Sequence, residues 1–94
     1  MILGLTRKAL QRAARLVHSV IPPTPQLAWP LLNARAGREV WVKHENHTAI
    51  GSFKLRGGLV MIERVRREKP KARGVISATR GNHGQSLAFA GRHY

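Results

Sequence analysis

Two short segments of this 94-residue chain combine residues that can do chemistry with glycines that give access to them. Lys54 lies in the segment Gly51-Ser52-Phe53-Lys54-Leu55-Arg56-Gly57-Gly58 and is predicted to fall in the first turn of a helix. The helix dipole there disfavours the protonated amine. A neutral amine is a nucleophile toward an aldehyde carbon, and flanking glycines leave room for a flat ring. A solvated surface lysine is the alternative.

The second segment, Ser77-Ala78-Thr79-Arg80-Gly81-Asn82-His83-Gly84-Gln85, has the pattern of a strand end followed by a helix start. The first amides of a helix have no partner within it, so they suit a carboxylate or a phosphate. A helix capped by Asn82, with His83 on the surface, is the alternative. The presence of both segments in one chain favours a common functional site.

The elements that must position these segments alternate along the chain. Apolar periodicity, β-branched residues and breaker residues predict helix 6–19, strand 39–43, helix 52–68, strand 74–78 and helix 82–94. Ser52 is the expected N-cap of the middle helix. Strand, helix, strand, helix is the order of an α/β fold with parallel strands, whose functional loops lie at the carboxyl ends of the strands.

The composition limits the class of protein. Seventeen Lys and Arg against four Asp and Glu give a formal charge of +13, which suggests an anionic partner. The aromatic residues are few and lie mostly apart from the basic ones, so a stacking surface for nucleic acid is not expected. A chain of this length forms one small domain, and it has no cysteine for a disulfide, a zinc site or a thiol nucleophile.

Membrane and metal sites are not expected either. No apolar run reaches the roughly 18 to 20 residues of a membrane-spanning helix. The basic stretch 1–20 would suit a mitochondrial presequence, but an amphipathic first helix is the simpler interpretation. His44-Glu45-Asn46-His47 is one residue short of the zinc motif His-Glu-x-x-His, and no third ligand follows at helical spacing.

The order of the motifs resembles a known family. The chain shares with the opening third of fold-type-II pyridoxal-phosphate enzymes the segments Pro23-Thr24-Pro25, Val40-Trp41-Val42-Lys43, Glu45-Asn46, Gly51 to Gly58 and Gly81 to Gln85. It is most similar to threonine dehydratases, serine dehydratases and serine racemases. The resemblance implies the α/β fold of the tryptophan synthase β subunit, here as the truncated N-terminal portion of a larger lyase.

The resemblance also implies a cofactor and a reaction. Pyridoxal 5'-phosphate would bond to Lys54, with Phe53 against its ring and Asn82 on its phenolic oxygen, and Lys54 would then remove the α-proton of the substrate. The substrate would be a β-hydroxy amino acid that loses water and ammonia to give a 2-oxo acid. The expected substrate-binding residues follow the second strand: Ser77, Thr79, Arg80, Gly81, Asn82 and His83.

Several departures from the family pattern affect these expectations. Ile50 stands where the family usually has threonine, which removes a hydroxyl near the lysine. Arg80 stands where relatives carry serine or alanine, and racemases use that serine as a second acid/base. Arg80 therefore argues against racemisation and favours a substrate with an additional anionic group, an arginine facing solvent being the alternative. The glycine-rich phosphate loop is expected beyond residue 94, so these residues alone should be inactive.

The full enzyme is expected to be a cytoplasmic homo-oligomer with a small-molecule amino-acid substrate and no nucleic-acid or membrane partner. A basic nucleic-acid-binding module is the alternative from a different class, and a non-catalytic remnant of the same fold is a third. Salt-dependent binding of generic DNA, without cofactor absorbance, would favour the nucleic-acid alternative.

Overall fold

The structure is a computed structural model that describes residues 4–94. The first three residues belong to the stretch considered as a presequence and lie outside the described residues. The elements follow in the order α1 (Arg7–Val20), β1 (Gln26–Ala28), α2 (Pro30–Ala36), β2 (Trp41–Lys43), a 3-10 turn (Glu45–His47), α3 (Lys54–Glu68) and α4 (Asn82–His93). Within residues 4–94, no helix is both long and apolar enough to cross a bilayer.

Helix α1 begins where a threonine caps it. The Oγ1 of Thr6 accepts a hydrogen bond from the amide of Ala9 at 3.1 Å, which satisfies one of the first amides of the helix. The helix begins and ends one residue later than the predicted range 6–19. Val17 is buried and Leu10 is exposed, so α1 covers α3 with one narrow apolar face.

Strands β1 and β2 form an antiparallel pair, in which Leu27 lies opposite Val42. Helix α2 connects them and ends at Gly37, whose φ of 66° is left-handed and favours glycine. The sequence predicted β2 as 39–43, two residues longer at its start, and did not predict β1. Three residues are too few for a strand periodicity to stand out. The expectation of parallel strands concerned 39–43 and 74–78, and the pair that forms joins 41–43 to the unpredicted β1.

The core lies between α3 and α4. Leu55, Leu59 and Ala90 are completely buried, and Leu87 is nearly so. Burial of this apolar surface is the main contribution that holds the two helices together. Ile50 packs against the same core from the loop before α3, so the departure from the family pattern at this position places an aliphatic packing residue there.

Helices α3 and α4 run in the same direction. Gly58 meets Ser86 near the starts of the two helices. Farther along, Ile62 and Tyr94 line one groove. Because the contacts advance together along both helices, their amino ends lie at the same end of the pair. The loops that precede them, which hold the two motifs, therefore lie at that end too.

The predicted strand 74–78 is not formed, and residues 72–79 have no regular secondary structure. Val75 is 41% exposed and Ile76 is 101% exposed. A strand requires a neighbour that exchanges ladder hydrogen bonds with it, and the sheet of the described residues consists of β1 and β2 alone. No described segment pairs with 74–78. The residue types of this segment suit a strand, but the pairing that would make it one is absent from the described residues.

Candidate active site

Lys54 is the first residue of α3, and a threonine closes the loop that leads to it. The hydroxyl of Thr48 donates to the carbonyl of Ser52 at 2.7 Å and accepts from the Ser52 amide at 3.0 Å. Gly51 in this loop has a φ of 74°, where a side chain would be strained. The loop therefore has a tight, specified backbone that fixes where α3 starts.

The prediction that Ser52 caps a helix over 52–68 is wrong. Helix α3 begins at Lys54, Phe53 takes the N-cap position, and no side chain caps the helix. The Ser52 backbone is bound by Thr48 instead, and the Ser52 hydroxyl is buried without a hydrogen-bond partner among the described residues. The preference of serine for caps located the boundary to within two residues, but the Thr48 loop determines it.

The amino group of Lys54 lies at the surface beside an aromatic ring. Its Nζ is 5.4 Å from the centroid of the Phe53 ring, and Phe53 is itself exposed. Such a contact at an exposed site contributes only about 0.5–1 kcal/mol. Within residues 4–94 the amine has no carboxylate in ion-pair range and no hydrogen bond. The Lys54 amine is therefore accessible and uncommitted.

The second loop is organised by Thr79. Its Oγ1 accepts hydrogen bonds from the amides of Gly81 at 3.1 Å and Gly84 at 3.0 Å. Helix α4 begins at Asn82, as predicted, and ends one residue before the predicted range 82–94. Gly81 takes the N-cap position with a φ of 141°, which favours glycine. The side chain that binds the helix start is thus that of Thr79, not that of Asn82.

The other predicted substrate-binding residues lie on the same loop and helix start. Ser77, Arg80, Gly81 and Asn82 are exposed, and His83 is half-buried. Arg80 has no ion pair within the described residues. The amides of Asn82 and His83 are the first two of α4, and neither can bond within the helix. These amides and the Arg80 guanidinium form an anion-compatible surface.

Ser86 joins the two motifs. Its hydroxyl donates to the backbone carbonyl of Lys54 at 2.7 Å, and its side chain is completely buried. Asn82 lies one helical turn before Ser86 and therefore on the same face of α4, the face that meets α3. The structure thus brings Phe53, Lys54 and Asn82 to one end of the helix pair.

A polar cluster holds the start of α3 against the earlier part of the chain. Arg56 donates to both carboxylate oxygens of Glu45, from Nε to Oε2 at 2.8 Å and from Nη2 to Oε1 at 3.0 Å. The hydroxyl of Thr24, which is buried, donates to Oε1 at 2.6 Å. Thr24, Glu45 and Arg56 are termed the Glu45 clamp. The Arg56 hydrogen bonds, followed by that of Thr24, lower the pKa of Glu45 from 4.5 to about 2.

The sequence did not reveal the clamp, because Glu45 was considered only within His44-Glu45-Asn46-His47. In the structure its carboxylate is bound by Arg56, while the Nε2 of His44 accepts from the Trp29 indole at 2.8 Å. The described residues contain no group of three side chains able to hold a metal. The available signal was composition, since one of only four acidic residues among 17 basic ones is expected to have a cationic partner.

The sequence of this chain matches a known family over most of its length. The family model described as "Pyridoxal-phosphate dependent enzyme" matches residues 17–94. The chain therefore belongs to the pyridoxal-phosphate-dependent enzymes, whose cofactor is pyridoxal 5'-phosphate.

Individual relatives share sequence with this chain over a small part of their own length. It is 40% identical over 77 residues to the biosynthetic L-threonine dehydratase of Pasteurella multocida, covering 82% of this chain and 15% of that protein. It is 32% identical over 80 residues to the L-threo-3-hydroxyaspartate ammonia-lyase of Saccharomyces cerevisiae, covering 85% of this chain and 24% of that protein. The chain thus spans a quarter or less of the length of these two relatives.

A solved structure establishes the fold. The crystal structure of a pyridoxal 5'-phosphate-dependent aspartate racemase is similar with a TM-score of 0.87 at 33% identity. The match covers 96% of this chain and 29% of that one. The α/β fold of the family is therefore the fold of this chain, although the strand order within it is incomplete in the described residues.

The residues present fit the ring and aldehyde of the cofactor. The uncommitted Lys54 amine is the group that an aldehyde needs, and the Phe53 ring lies beside it. The Asn82 side chain on the adjoining helix supplies a polar amide, and the buried Ser52 hydroxyl lacks a partner among the described residues. The fit therefore concerns the ring and the aldehyde of the cofactor.

Proposed function

We propose that this chain forms the lysine-bearing part of an ammonia-lyase that dehydrates a small β-hydroxy amino acid. The observation that carries the proposal is the accessible amine of Lys54 beside the start of α4, which has no hydrogen-bond or ion-pair partner among residues 4–94. Relatives named as a threonine dehydratase and a hydroxyaspartate ammonia-lyase support an elimination reaction. Because the chain spans a small share of their length, the activity belongs to the full-length protein.

Each residue has a distinct proposed role. Pyridoxal phosphate, when bound, supplies the electron sink that makes the α-hydrogen acidic. Phe53 and Asn82 hold its ring, one by contact and the other by a hydrogen bond. The loop 77–83 holds the substrate carboxylate with backbone amides. Lys54 accepts the α-proton at Nζ and returns it to the β-hydroxyl, which leaves as water, and the resulting enamine hydrolyses to a 2-oxo acid and ammonia.

Racemisation is the second candidate, because the similar solved structure is an aspartate racemase. Racemisation needs a second group that exchanges a proton with the opposite face of the α-carbon. A guanidinium is not deprotonated in proteins, so Arg80 is unsuited to that task. Its exposed, unpaired guanidinium instead supports recognition of a second carboxylate, as in a β-hydroxy acidic amino acid.

The test uses the full-length protein, loaded with pyridoxal phosphate and offered L-threonine, L-serine, L-threo-3-hydroxyaspartate and L-aspartate. Release of a 2-oxo acid and ammonia is expected. Borohydride reduction followed by peptide mapping should locate the cofactor on Lys54. A D-amino acid formed without 2-oxo acid would favour the racemase, and a label on another lysine would contradict the site.

We further propose that the full-length protein works in the cytoplasm as a homo-oligomer, with a small amino acid as its substrate and no nucleic-acid or membrane partner. The names of the matched relatives support the amino-acid substrate. Light scattering on the purified protein measures the oligomeric state, and a monomer at micromolar concentration would contradict the proposal.

A further inference from the structure

We infer that the Glu45 clamp is a positioning device for Lys54, which fixes the direction from which the lysine amine reaches its reaction partner. The inference rests on the proposed role of Lys54. Its starting point is the two-pronged contact of Arg56 with Glu45, with nitrogen to oxygen distances of 2.8 and 3.0 Å. The clamp residues are positioning residues, because their hydrogen bonds reach each other and not the Lys54 amine.

The clamp closes the segment that contains the lysine motif. Glu45 begins the 3-10 turn and Arg56 is the third residue of α3, so their ion pair joins two points eleven residues apart. Gly51 and Lys54 lie inside this closed loop. Closing a loop restricts the conformations of the residues within it, so the clamp limits the positions that Lys54 can take.

Arg56 fixes the orientation of Lys54 because the two side chains have a set angle between them around the axis of α3. In a helix of 3.6 residues per turn, positions i and i+2 point in directions about 200° apart. Arg56 therefore turns toward Glu45 while Lys54 turns away from it. On the α4 side, Ser86 binds the Lys54 carbonyl at 2.7 Å. Rotation of this first turn would break either the ion pair or the buried hydrogen bond.

The third member of the clamp ties it to another part of the chain. Thr24 lies between α1 and β1, and its hydroxyl binds Glu45 at 2.6 Å. The carbonyl of Thr24 accepts from the Nζ of Lys43 at 3.2 Å. The start of α3 is thus connected through Glu45 and Thr24 to Lys43 in β2, while Ser86 connects it to α4. The first turn of α3 is therefore held by two separate elements of the fold.

A second ion pair on the same helix offers a matched control. The Nε of Arg64 lies 3.0 and 3.1 Å from the two carboxylate oxygens of Glu68, but both residues belong to α3. Their side chains are 68% and 46% exposed, whereas those of Arg56 and Glu45 are 26% and 22% exposed. An ion pair within one helix cannot orient that helix relative to the rest of the fold.

The experiment compares Glu45→Gln, Glu68→Gln and Ile62→Val in the full-length protein. Ile62→Val serves as a core substitution that lowers Tm without touching the clamp. The rate constant for covalent attachment of pyridoxal phosphate to Lys54 is measured by stopped-flow absorbance, and hydrogen exchange is measured over residues 53–58. Glu45→Gln should slow attachment about tenfold to a hundredfold, the range expected for a displacement of about 1 Å or less. Glu45→Gln should also speed hydrogen exchange of the amides in residues 53–58. The two control variants should leave the attachment rate unchanged.

Two results would overturn the inference. One is a wild-type attachment rate in Glu45→Gln. The other is a decrease in attachment rate no larger than that of Ile62→Val when the two variants have the same Tm. If Glu45→Gln does not fold, Arg56→Lys decides, because it keeps the charge but not the two-pronged geometry. An intermediate rate is expected from it, and a wild-type rate overturns the inference. Failure of the proposed function is distinguishable in the wild-type protein, which would then release no 2-oxo acid or carry the cofactor on a lysine other than Lys54.

Discussion

The hydroxyl of Ser86 donates to the backbone carbonyl of Lys54 at 2.7 Å, across the contact between α3 and α4. This approach is possible because Gly58, one turn after Lys54, has no side chain. A Cβ at Gly58 would collide with the Oγ of Ser86. A glycine on one helix and a serine on the other therefore set the separation of the two motifs.

Gly58→Ala should destabilise the protein by about 1–3 kcal/mol, since the added methyl group forces Ser86 away from α3. Gly57→Ala is the control, because Gly57 is exposed and a Cβ there meets nothing within 4 Å. It should stabilise the protein by about 0.5–1 kcal/mol through helix propensity. Urea unfolding measures both, and effects of the same sign would contradict the prediction.

Lys54→Ala should abolish covalent cofactor attachment and reduce 2-oxo acid release by several powers of ten, because it removes both the bonding amine and the proposed base. Lys69→Ala should change neither quantity. Lys69 follows the last residue of α3, where the helix dipole favours a cation and no motif residue lies nearby. Cofactor absorbance and a 2-oxo acid assay provide the measurements, and equal activity of the two variants would remove Lys54 from the site.

The lowered pKa of Glu45 predicts a pH dependence of stability. The folded pKa of about 2 lies below the unfolded value of 4.5, so the unfolded state binds more protons between these values. The stabilisation is complete above pH 4.5 and is lost as the pH falls toward 2. Its size is at most about 3 kcal/mol.

Wild type and Glu45→Gln should therefore differ most in free energy of unfolding above pH 4.5 and converge toward pH 2. Glu68→Gln, which removes an exposed ion pair, should follow the wild-type profile within about 0.5 kcal/mol. Denaturant titrations at a series of pH values test this. Parallel profiles for the wild type and Glu45→Gln would show that the clamp does not hold the Glu45 carboxylate.

Arg80→Ala should change which β-hydroxy amino acid is preferred. If the guanidinium binds a second carboxylate, its removal should cost about 1.5–3 kcal/mol of binding free energy. The kcat/KM for L-threo-3-hydroxyaspartate should then fall roughly tenfold to a hundredfold relative to that for L-threonine. Arg73→Ala is the control, because Arg73 is an exposed arginine outside the loop 77–83. An unchanged ranking of substrates would leave Arg80 as a surface residue.

The sequence predicted α3 well because burial imposes a spacing on it. Leu55, Leu59 and Ile62 recur on one face, and all three are buried in the structure. The sequence also placed Phe53, Lys54 and Asn82 at helix starts, which α3 and α4 confirm, while the roles of these residues in the site stay predictions. Helix periodicity and helix starts depend on residues close together in the sequence, so the sequence alone can predict them.

The Glu45 clamp could not be predicted in the same way. Arg56 lies 11 residues from Glu45 and 32 from Thr24, and no periodicity connects residues so far apart. The prediction of a strand at 74–78 is wrong for a related reason, because a strand depends on a partner elsewhere in the chain. Ser52 was favoured as a cap by its residue type, whereas the contact that forms the loop belongs to Thr48.

The exposed segment 74–78 has a consequence for self-association. Its uncharged residues include Ile76, which is fully exposed, and no strand of the described residues pairs with it. Arg73 and Arg80 stand on either side of it, both exposed. Two copies that paired along this segment would bring these cations together, and their repulsion opposes edge-to-edge aggregation. Arg80, which is proposed to select a substrate, would by its charge also oppose this pairing.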